Sequence, residues 1–566
     1  MEYLLLTAAL ILFVVVVFVR EAVQAGKRRQ EFIRSLYDNY GELPNHKYTL
    51  ENSAHIPGYY KRHGDCEQLD DITWNDLNME EIFKRINYTL SATGEEYLYY
   101  LLRSAGRDKE ALARFEELTA WFMEHADERV RTQLYMSELG YTGKYSLYDY
   151  IENLDVLGER SNLRHHLFNL LYIPLLLLMP FQFSIAILGM AVLGVYQIVS
   201  YFKYKREIEP YIISFAYVMR LLVTCENICK IKIPVYSDEL ARMRTCIQEM
   251  HGIRRGSFLV FTASNSRTSG NPLELIMDYL RMIFHVDLII FNKMLRQLRL
   301  HMKQVDELIA MAGYLESAVS VSAFRASLKN GWCVPDLSGE EGESEQKPFI
   351  VIEAGYHPLL EQPVKNSIYA RRGVLLTGSN ASGKSTFLKM MAVNAILAQT
   401  IHTCTADFYQ APLFEIYSSM ALRDDIESGE SYYIVEIKSL KRILDAVAEG
   451  RRVLCFVDEV LRGTNTVERI AASTQILRSL TDGQTLCFAA THDIELTELL
   501  REYYDNYHFE EDIKDGDISF EYRLLEGKAS TRNAIRLLEM MGYAPQVTES
   551  ALESAQRFLE TGAWQA

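Results

Sequence analysis

The stretch VLLTGSNASGKSTFLKMMAV, residues 374–393, decides the fold of this chain. Apolar β-formers lead into Gly378, Gly383-Lys384-Ser385 follows after four intervening residues, and Ser385 to Ala398 reads as a helix. A strand, a glycine-rich loop and a helix in that order make a phosphate-binding loop. Backbone N–H groups at the helix start cradle phosphate oxygens, Lys384 reaches the β and γ oxygens, and Ser385 offers its hydroxyl to magnesium. Gly378, Asn380, Gly383 and Thr386 complete the candidate nucleotide contacts of the loop. Beyond the loop, short apolar runs alternate with helical ones, the pattern of a parallel α/β sheet. VLCFVDE, 453–459, ends in Asp458, which suits a magnesium shell, and Glu459, which is placed to polarise an attacking water. LCFAATHD, 486–493, ends in Thr491 and His492, which can sense a γ-phosphate at the same sheet edge. A lone histidine is usually structural. Convergence of three strand ends on one phosphate site is what assigns His492 a function.

At 566 residues the chain exceeds one compact core, so two or three domains are expected. A formal net charge of −16 argues against a surface that neutralises many phosphates by bulk charge, so any nucleic-acid contact must be local. Arg242 with Arg244, Arg254 with Arg255, and Lys293, Arg296 and Arg299 are the clusters available, each of which, taken alone, reads first as a solvated helix face. The eight cysteines are scattered, and Cys225 and Cys229, one helical turn apart, lack a second pair to complete a metal knuckle. Reduced thiols in a cytosolic compartment fit best.

Two apolar tracts point to a membrane. Tyr3 to Val19 is uncharged over 17 residues and is followed by Arg20, Lys27, Arg28 and Arg29, which predicts an anchor with the downstream chain in the cytoplasm. A cleaved signal peptide would want its positive charge before the apolar core rather than after it. Leu167 to Phe202 runs 36 residues without a charge, is preceded by Arg164 and followed by Lys203, Lys205 and Arg206, and has a plausible turn at Pro180-Phe181-Gln182. A re-entrant or fully crossing hairpin is predicted. The apolar stretch 275–291 is interrupted by Asp278, Arg281, His285 and Asp287 and reads as a soluble core helix.

Helical spacing runs through Met79 to Arg103, Asp108 to Glu124, and from Asn271 to about Phe324, predicting long helices in a lever or bundle. LSGEEGESEQK, 337–347, is an acidic linker. The predicted order is an anchor at 1–29, helical core at 30–166, transmembrane hairpin at 167–202, further core at 203–336, the linker, and a P-loop α/β domain at 348–566 that closes in dimerisation helices.

With these residues in view, roughly the last 220 residues resemble the ATPase domain of the MutS family. YHPLLEQPVKNSIY, 356–369, is similar to the lead-in of that family; TGSNASGKST is similar to its TGxNMxGKST loop; DEVLRGTNTVERIAAS, 458–473, follows its DExxRGT pattern, and THDIELTEL continues likewise. SGESYYIVEI, 428–437, resembles the segment that supplies a serine, here Ser431, to the γ-phosphate held by the partner subunit of a dimer. The resemblance places Tyr522 where an aromatic stacks on adenine; a tyrosine in a strand core is the other reading of that residue. Upstream, 70–104 resembles the start of the family's core and lever, with Thr93-Gly94 at a turn, and 254–328 resembles the end of the lever. Closing segment 527–545 lacks the usual SYG, no GxFxE wedge motif occurs, and Phe115 to Glu117 matches F-x-E only by coincidence on a lever helix. Together with the apolar tracts, the resemblance implies a membrane-anchored variant without a mismatch-recognition domain, hydrolysing ATP with Mg2+ as a homodimer in which Lys384, Glu459 and His492 do the chemistry. Two classes of function follow: a DNA-handling ATPase of the mismatch-repair kind, or a mechanochemical ATPase that moves a membrane or protein partner and never touches DNA.

Overall fold

The computed structural model describes residues 2–49, 53–64, 69–105, 108–142, 146–152, 158, 160–254, 279–280, 282–337, 348–379, 382–420, 432–462, 464–514, 517–529, 535, 538–539 and 541–561. The chain forms two units, one of Met1–Gly64, Asn87–Tyr100 and Glu117–Ala326, the other of Asp65–Ile86, Leu101–Glu116 and Ser327–Ala566.

The second unit is α/β. Its strands are β1 (Ile350–Gly355), β2 (Asn366–Ala370), β3 (Gly373–Thr377), β4 (Phe408–Gln410), β5 (Glu415–Ser419), β6 (Val453–Asp458), β7 (Thr485–Ala490), β8 (Tyr504–His508), β9 (Glu511–Lys514), β10 (Asp517–Phe520) and β11 (Leu525–Glu526). The principal sheet has the order β11-β8-β3-β7-β6-β5. All its neighbours are parallel except the short β11, which runs antiparallel to β8. β3, β6 and β7 are buried along their whole length, the burial expected of parallel strands with both faces covered. Leu440 and Ile443 of the Tyr432–Ala448 helix and Leu477 and Leu480 at the end of the Thr466–Ser479 helix pack on Cys455, Val457, Cys487 and Ala489 of the sheet. Asn465 starts the latter helix by accepting the Val467 N–H at 3.0 Å. The early segment is stitched to β5: Asp76, in a helix capped by Asp70, accepts from Ser418 Oγ at 2.8 Å and from the Met420 N–H at 2.9 Å.

The first unit is helical. The expected helix from Met79 to Arg103 is two helices, Met79–Ile86 and Ala92–Arg103. Between them Asn87 accepts from the Thr89 N–H and hydroxyl, at 3.1 and 2.6 Å, a local bond that competes with the helical ladder. Thr93 and Gly94 lie in the first turn of the second helix rather than at a separate turn. Gly94 is required there because a Cβ would fall 2.0 Å from Glu316 Oε2. Glu316, on the Met302–Ser327 helix, is buried and accepts the Leu90 N–H and the Ser91 hydroxyl, both at 2.5 Å. Of the stretch 275–291, residues 275–278 and 281 lie outside the described residues; the described part is interrupted at left-handed His285 (φ 53°), whose Nε2 lies 2.8 Å from the Gln197 carbonyl, and a helix begins at Val286. Residues 338–347 of the acidic linker lie outside the described residues.

Apolar helices Leu163–Leu170 and Tyr172–Leu178 are followed, after a break that contains Pro180, Phe181 and Gln182, by a helix from Phe183 to Ile228. At 46 residues that last helix is about 70 Å long. It carries apolar Phe183–Ile208 into a buried run that includes Phe215, Leu221 and Cys225. Phe183–Ile208 is, among the described residues, the one stretch long and apolar enough by length and composition to cross a membrane, and 11% of its most apolar window is buried. Polar side chains at its base bond one another: Gln197 donates to Asn169 Oδ1 at 3.1 Å, Asn169 to the Phe284 carbonyl at 2.8 Å, and Tyr201 to Asp287 at 2.6 Å, while Gln197 Oε1 is buried with no partner among the described residues. A further helix, Glu2–Asp38, contains the N-terminal apolar tract.

Candidate functional site

Strand register assembles the site. Asp458 pairs with Ala490 across β6 and β7, and Leu376 pairs with Ala490 across β3 and β7, so three chain segments leave the sheet at one level. The Glu459 N–H donates to the Ala490 carbonyl and the Thr491 N–H to the Leu376 carbonyl, both at 2.9 Å, extending the ladder into the site. This is the carboxyl edge of a parallel sheet, where ligands bind in α/β folds.

Gly378 (φ 141°) and Gly383 (φ 104°) need glycine for separate reasons. A Cβ on Gly378 would lie 2.8 Å from the Phe509 carbonyl oxygen, and one on Gly383 would press on the Tyr522 ring at 3.0 Å. Gly383 opens the Lys384–Thr400 helix, whose first N–H groups face the loop. Lys384 is buried and donates to the Gly378 and Ser379 carbonyls at 2.7 and 2.6 Å, folding the ammonium back over the loop where phosphates would lie. Ser379 Oγ is buried with no partner among the described residues, a polar atom that a phosphate oxygen would satisfy.

Ser385 donates to Asp458 Oδ2 at 2.5 Å, so a hydroxyl and a carboxylate oxygen stand side by side as candidate metal donors. That donor pair fits magnesium, which takes one or two protein oxygens and completes its shell with phosphate and water. Among the described residues no group of three or more His, Cys, Asp and Glu side chains forms a protein cage for a metal. Glu459 lies beside them with φ 61°, its Oε1 2.9 Å from His492 Nε2 and its Oε2 ion-paired with Arg462. Burial alone would raise its pKa, but the His492 hydrogen bond and the charges of Arg462, His492 and Lys384 outweigh burial and hold the carboxyl below the ordinary value. Glu459 is thus an ionised acceptor, the state a general base needs. Arg469 grips Asp493 through two bonds of 3.0 and 2.6 Å, and the Asp493 N–H donates to Thr491 Oγ1 at 3.0 Å, which together fix the loop that carries His492.

Tyr522 is no strand-core residue. It sits between β10 and β11 with φ 53°, 44% exposed, on the rim of a cleft of about 320 Å³ lined by Tyr356, Val364, Phe387, Met390 and Phe509 and continuous with Gly383 and Thr386. Asn366 braces the rim, donating to the Tyr522 carbonyl at 3.0 Å and accepting the Leu524 N–H at 2.8 Å. The cleft has the size and apolar lining for a flat heterocycle whose phosphates reach the loop. The structure therefore brings together Gly378, Gly383, Lys384, Ser385, Thr386, Asp458, Glu459, His492 and Tyr522. Asn380 and Ser431 lie outside the described residues. Arg462 and Asn366 stand inside the quoted motifs, yet motif spacing showed neither the ion pair nor the brace.

Residues 374–559 match the profile of MutS domain V. The C-terminal α/β domain is thus of the MutS domain V type. Over 205 residues it is 35% identical to the DNA mismatch repair protein MutS of Thermus thermophilus, and over 215 residues 30% identical to that of Halalkalibacterium halodurans. The same protein of Streptococcus suis is 30% identical over 226 residues. These alignments cover 35%, 36% and 38% of this chain, and 25%, 25% and 26% of the respective MutS relatives. The chain thus spans about a quarter of the length of the MutS relatives it matches. Helices precede the MutS domain V match here, and the residues of the candidate nucleotide site fall inside the matched span apart from the Tyr356 and Asn366 side of the cleft.

The basic clusters of the helical unit are in part committed to the protein itself. Arg244 donates to the Cys229 carbonyl at 2.7 Å, Arg299 to the Gly158 carbonyl at 3.0 Å, and Arg242 lies 3.9 Å from Glu307. Arg255 lies outside the described residues.

Proposed function

We propose that this chain is a membrane-held MutS-type ATPase that binds ATP with Mg2+ at a homodimer interface and hydrolyses it. The observation that carries the reading is the constellation at the sheet edge: Ser385 on Asp458, and Glu459 between His492 and Arg462. On nucleotide binding Lys384 exchanges its loop carbonyls for β- and γ-phosphate oxygens, and Tyr522 stacks on adenine. Magnesium, held by Ser385 and Asp458, would neutralise charge on those phosphates. Glu459 takes the proton of the attacking water, and His492 keeps the carboxylate oriented toward it. Ser431 of the second subunit completes the γ-phosphate contacts, so binding and dimer closure are one event, and closure moves the long lever helices.

Membrane residence is supported by the open apolar surface of the hairpin, with Leu188 65% and Val195 63% exposed, and by a sequence free of Asp and Glu from Arg160 to Arg206 that carries five Lys and Arg. DNA as the object of the lever motion is supported by the function for which the relatives are named, DNA mismatch repair. A second reading, an engine acting on a membrane or protein partner without DNA, is supported by the net charge of −16 and by the use of Arg244 and Arg299 on backbone carbonyls.

The test is ATP turnover by the detergent-solubilised chain with and without duplex, mismatched and branched DNA, with Lys384→Ala as the blank. Turnover that one DNA form changes, lost at high salt, supports the first reading; turnover indifferent to every DNA supports the second. Glu459→Gln is expected to bind ATP but to turn it over about 10²- to 10⁴-fold more slowly. Wild-type turnover in that variant would remove Glu459 as the base.

A further inference from the structure

Glu436 stands on the Tyr432–Ala448 helix, 2% exposed, outside the nucleotide contacts described above. Its Oε1 accepts the backbone N–H of Leu461 at 2.5 Å, and the N–H of Arg462 adds a second interaction. Its Oε2 has no partner among the described residues. The hydrogen bonding of this buried carboxylate is thus directed at one place, the turn by which the chain leaves β6 after Asp458.

That turn is strained, with Glu459 at φ 61° and Leu461 at φ 59°. Left-handed backbone at non-glycine residues persists only where surrounding structure fixes it. Three anchors do so here. The Glu459 N–H is held by the Ala490 carbonyl at 2.9 Å, Ser473 Oγ donates to the Val460 carbonyl at 3.3 Å, and Glu436 holds the far side. Elsewhere on the same helix, the inward positions Leu440 and Ile443 are aliphatic, so the packing itself does not call for a carboxylate. An apolar residue at 436 would fill the space and leave the turn's N–H groups unpaired, the costly half of a broken buried hydrogen bond. The turn in its fixed form aims the Glu459 carboxylate, one oxygen to His492 and the other to Arg462.

We propose that Glu436 is a positioning residue for Glu459, and that it ties the orientation of the base to the helix that begins one residue after Ser431. The inference rests on the reading of Glu459 as general base in ATP hydrolysis. If Ser431 meets the γ-phosphate of the opposite subunit, the first turn of this helix follows that contact, and Glu436 passes its displacement to the turn that carries the base. Hydrolysis is then conditional on the second subunit through a short path: five residues along the chain from Ser431 to Glu436, the hydrogen bond from Glu436 to the Leu461 N–H, and two residues back to Glu459.

The experiment compares Glu436→Met, Glu436→Gln and Glu459→Gln in the full chain, measuring kcat, ATP affinity by equilibrium binding, and the unfolding midpoint. Glu436→Met should lower kcat about a hundredfold, the loss typical of a misplaced catalytic group, with ATP affinity unchanged. Glu436→Gln can still accept the Leu461 N–H and should retain most turnover. In the Glu459→Gln background, Glu436→Met should add no further loss, because residues acting through one another are not additive. Should Glu436→Met not fold, Glu436→Asp keeps the charge but withdraws the oxygens from the turn and is expected to show the same split between kcat and affinity. A wild-type kcat in Glu436→Met or Glu436→Asp, or a loss of ATP affinity in step with kcat, overturns the proposal. Wild-type turnover in Glu459→Gln would instead remove the base reading itself, whereas an inactive Glu459→Gln beside an active Glu436→Met would remove only the positioning role.

Discussion

The strands β6 and β7 and the hairpin at 163–202 are all continuous apolar runs, and they meet opposite fates. Every residue of β6 and β7 is buried, and Phe456 and Phe488 stack across the two strands with ring centroids 5.5 Å apart. Leu188, Val192 and Val195 on the hairpin instead leave 65%, 63% and 63% of their surface open. In the sheet, helices cover both faces and the apolar run ends in acids that build a site. In the hairpin, the two apolar helices cover each other in part, as where Gly189 lets Leu175 approach its backbone, and the remaining surface stays apolar. Hydropathy thus reports that a run avoids water without reporting what shields it, and the hairpin surface is the kind that soluble proteins rarely leave open.

The largest test of this contrast is truncation in the sheet. Phe456→Ala should cost about 3–5 kcal/mol, read from denaturant unfolding, because both the transfer energy and a cavity are lost. A cost under about 1 kcal/mol would mean that the sheet is far less tightly packed than its burial indicates. The matching change in the hairpin is Leu188→Arg. If lipid covers that face, the arginine should cost about 2.5–3.5 kcal/mol at the bilayer centre and release chain from the membrane fraction on alkaline extraction. If water covers it, stability should shift by no more than about 0.5 kcal/mol and fractionation should not change.

A finer comparison concerns buried acids in the two units. In the candidate nucleotide site Glu459 is held below its ordinary pKa, whereas Glu316 in the helical unit is pushed up from 4.5 to about 7 by burial, against the opposing bonds from Ser91 and Leu90. A raised folded-state pKa means the folded chain holds that proton more tightly than the unfolded one. The stability contributed by Glu316 is therefore full below about pH 4.5 and is lost as pH rises through about 7. Glu316→Gln should remove that part of the decline, gaining on wild type by on the order of 3 kcal/mol between pH 5 and pH 8 in thermal unfolding. Parallel pH profiles for the two proteins would sink the assignment. The smallest effect is expected at Tyr522, an exposed ring whose proposed partner is the adenine of ATP. Tyr522→Ala should weaken ATP binding by about 1 kcal/mol in a titration and leave the unfolding midpoint unchanged.

Read alone, the amino-acid sequence settles the parts of this protein that depend on neighbours along the chain. A phosphate loop needs glycines, a lysine and a serine at set spacings between a strand and a helix, so Gly378 to Ser385 was legible directly. The apolar strands ending at Asp458 and Thr491 were legible for the same reason, because a strand and the residue at its end are contiguous. The break after Ile86 was obscured, since apolar spacing continues through it, and only the bond of Asn87 to Thr89 shows why the helix stops. What meets across the sheet edge was settled by tertiary packing. The β6–β7 register places Glu459 beside His492, and packing outside any shared ladder places Asn366 under the Tyr522 turn and Glu436 against Leu461, pairs separated by 33, 156 and 25 residues. No spacing rule links such pairs, because their proximity depends on which strands become neighbours and on how the covering helices pack, and both are fixed by burial of the whole domain rather than by any local stretch.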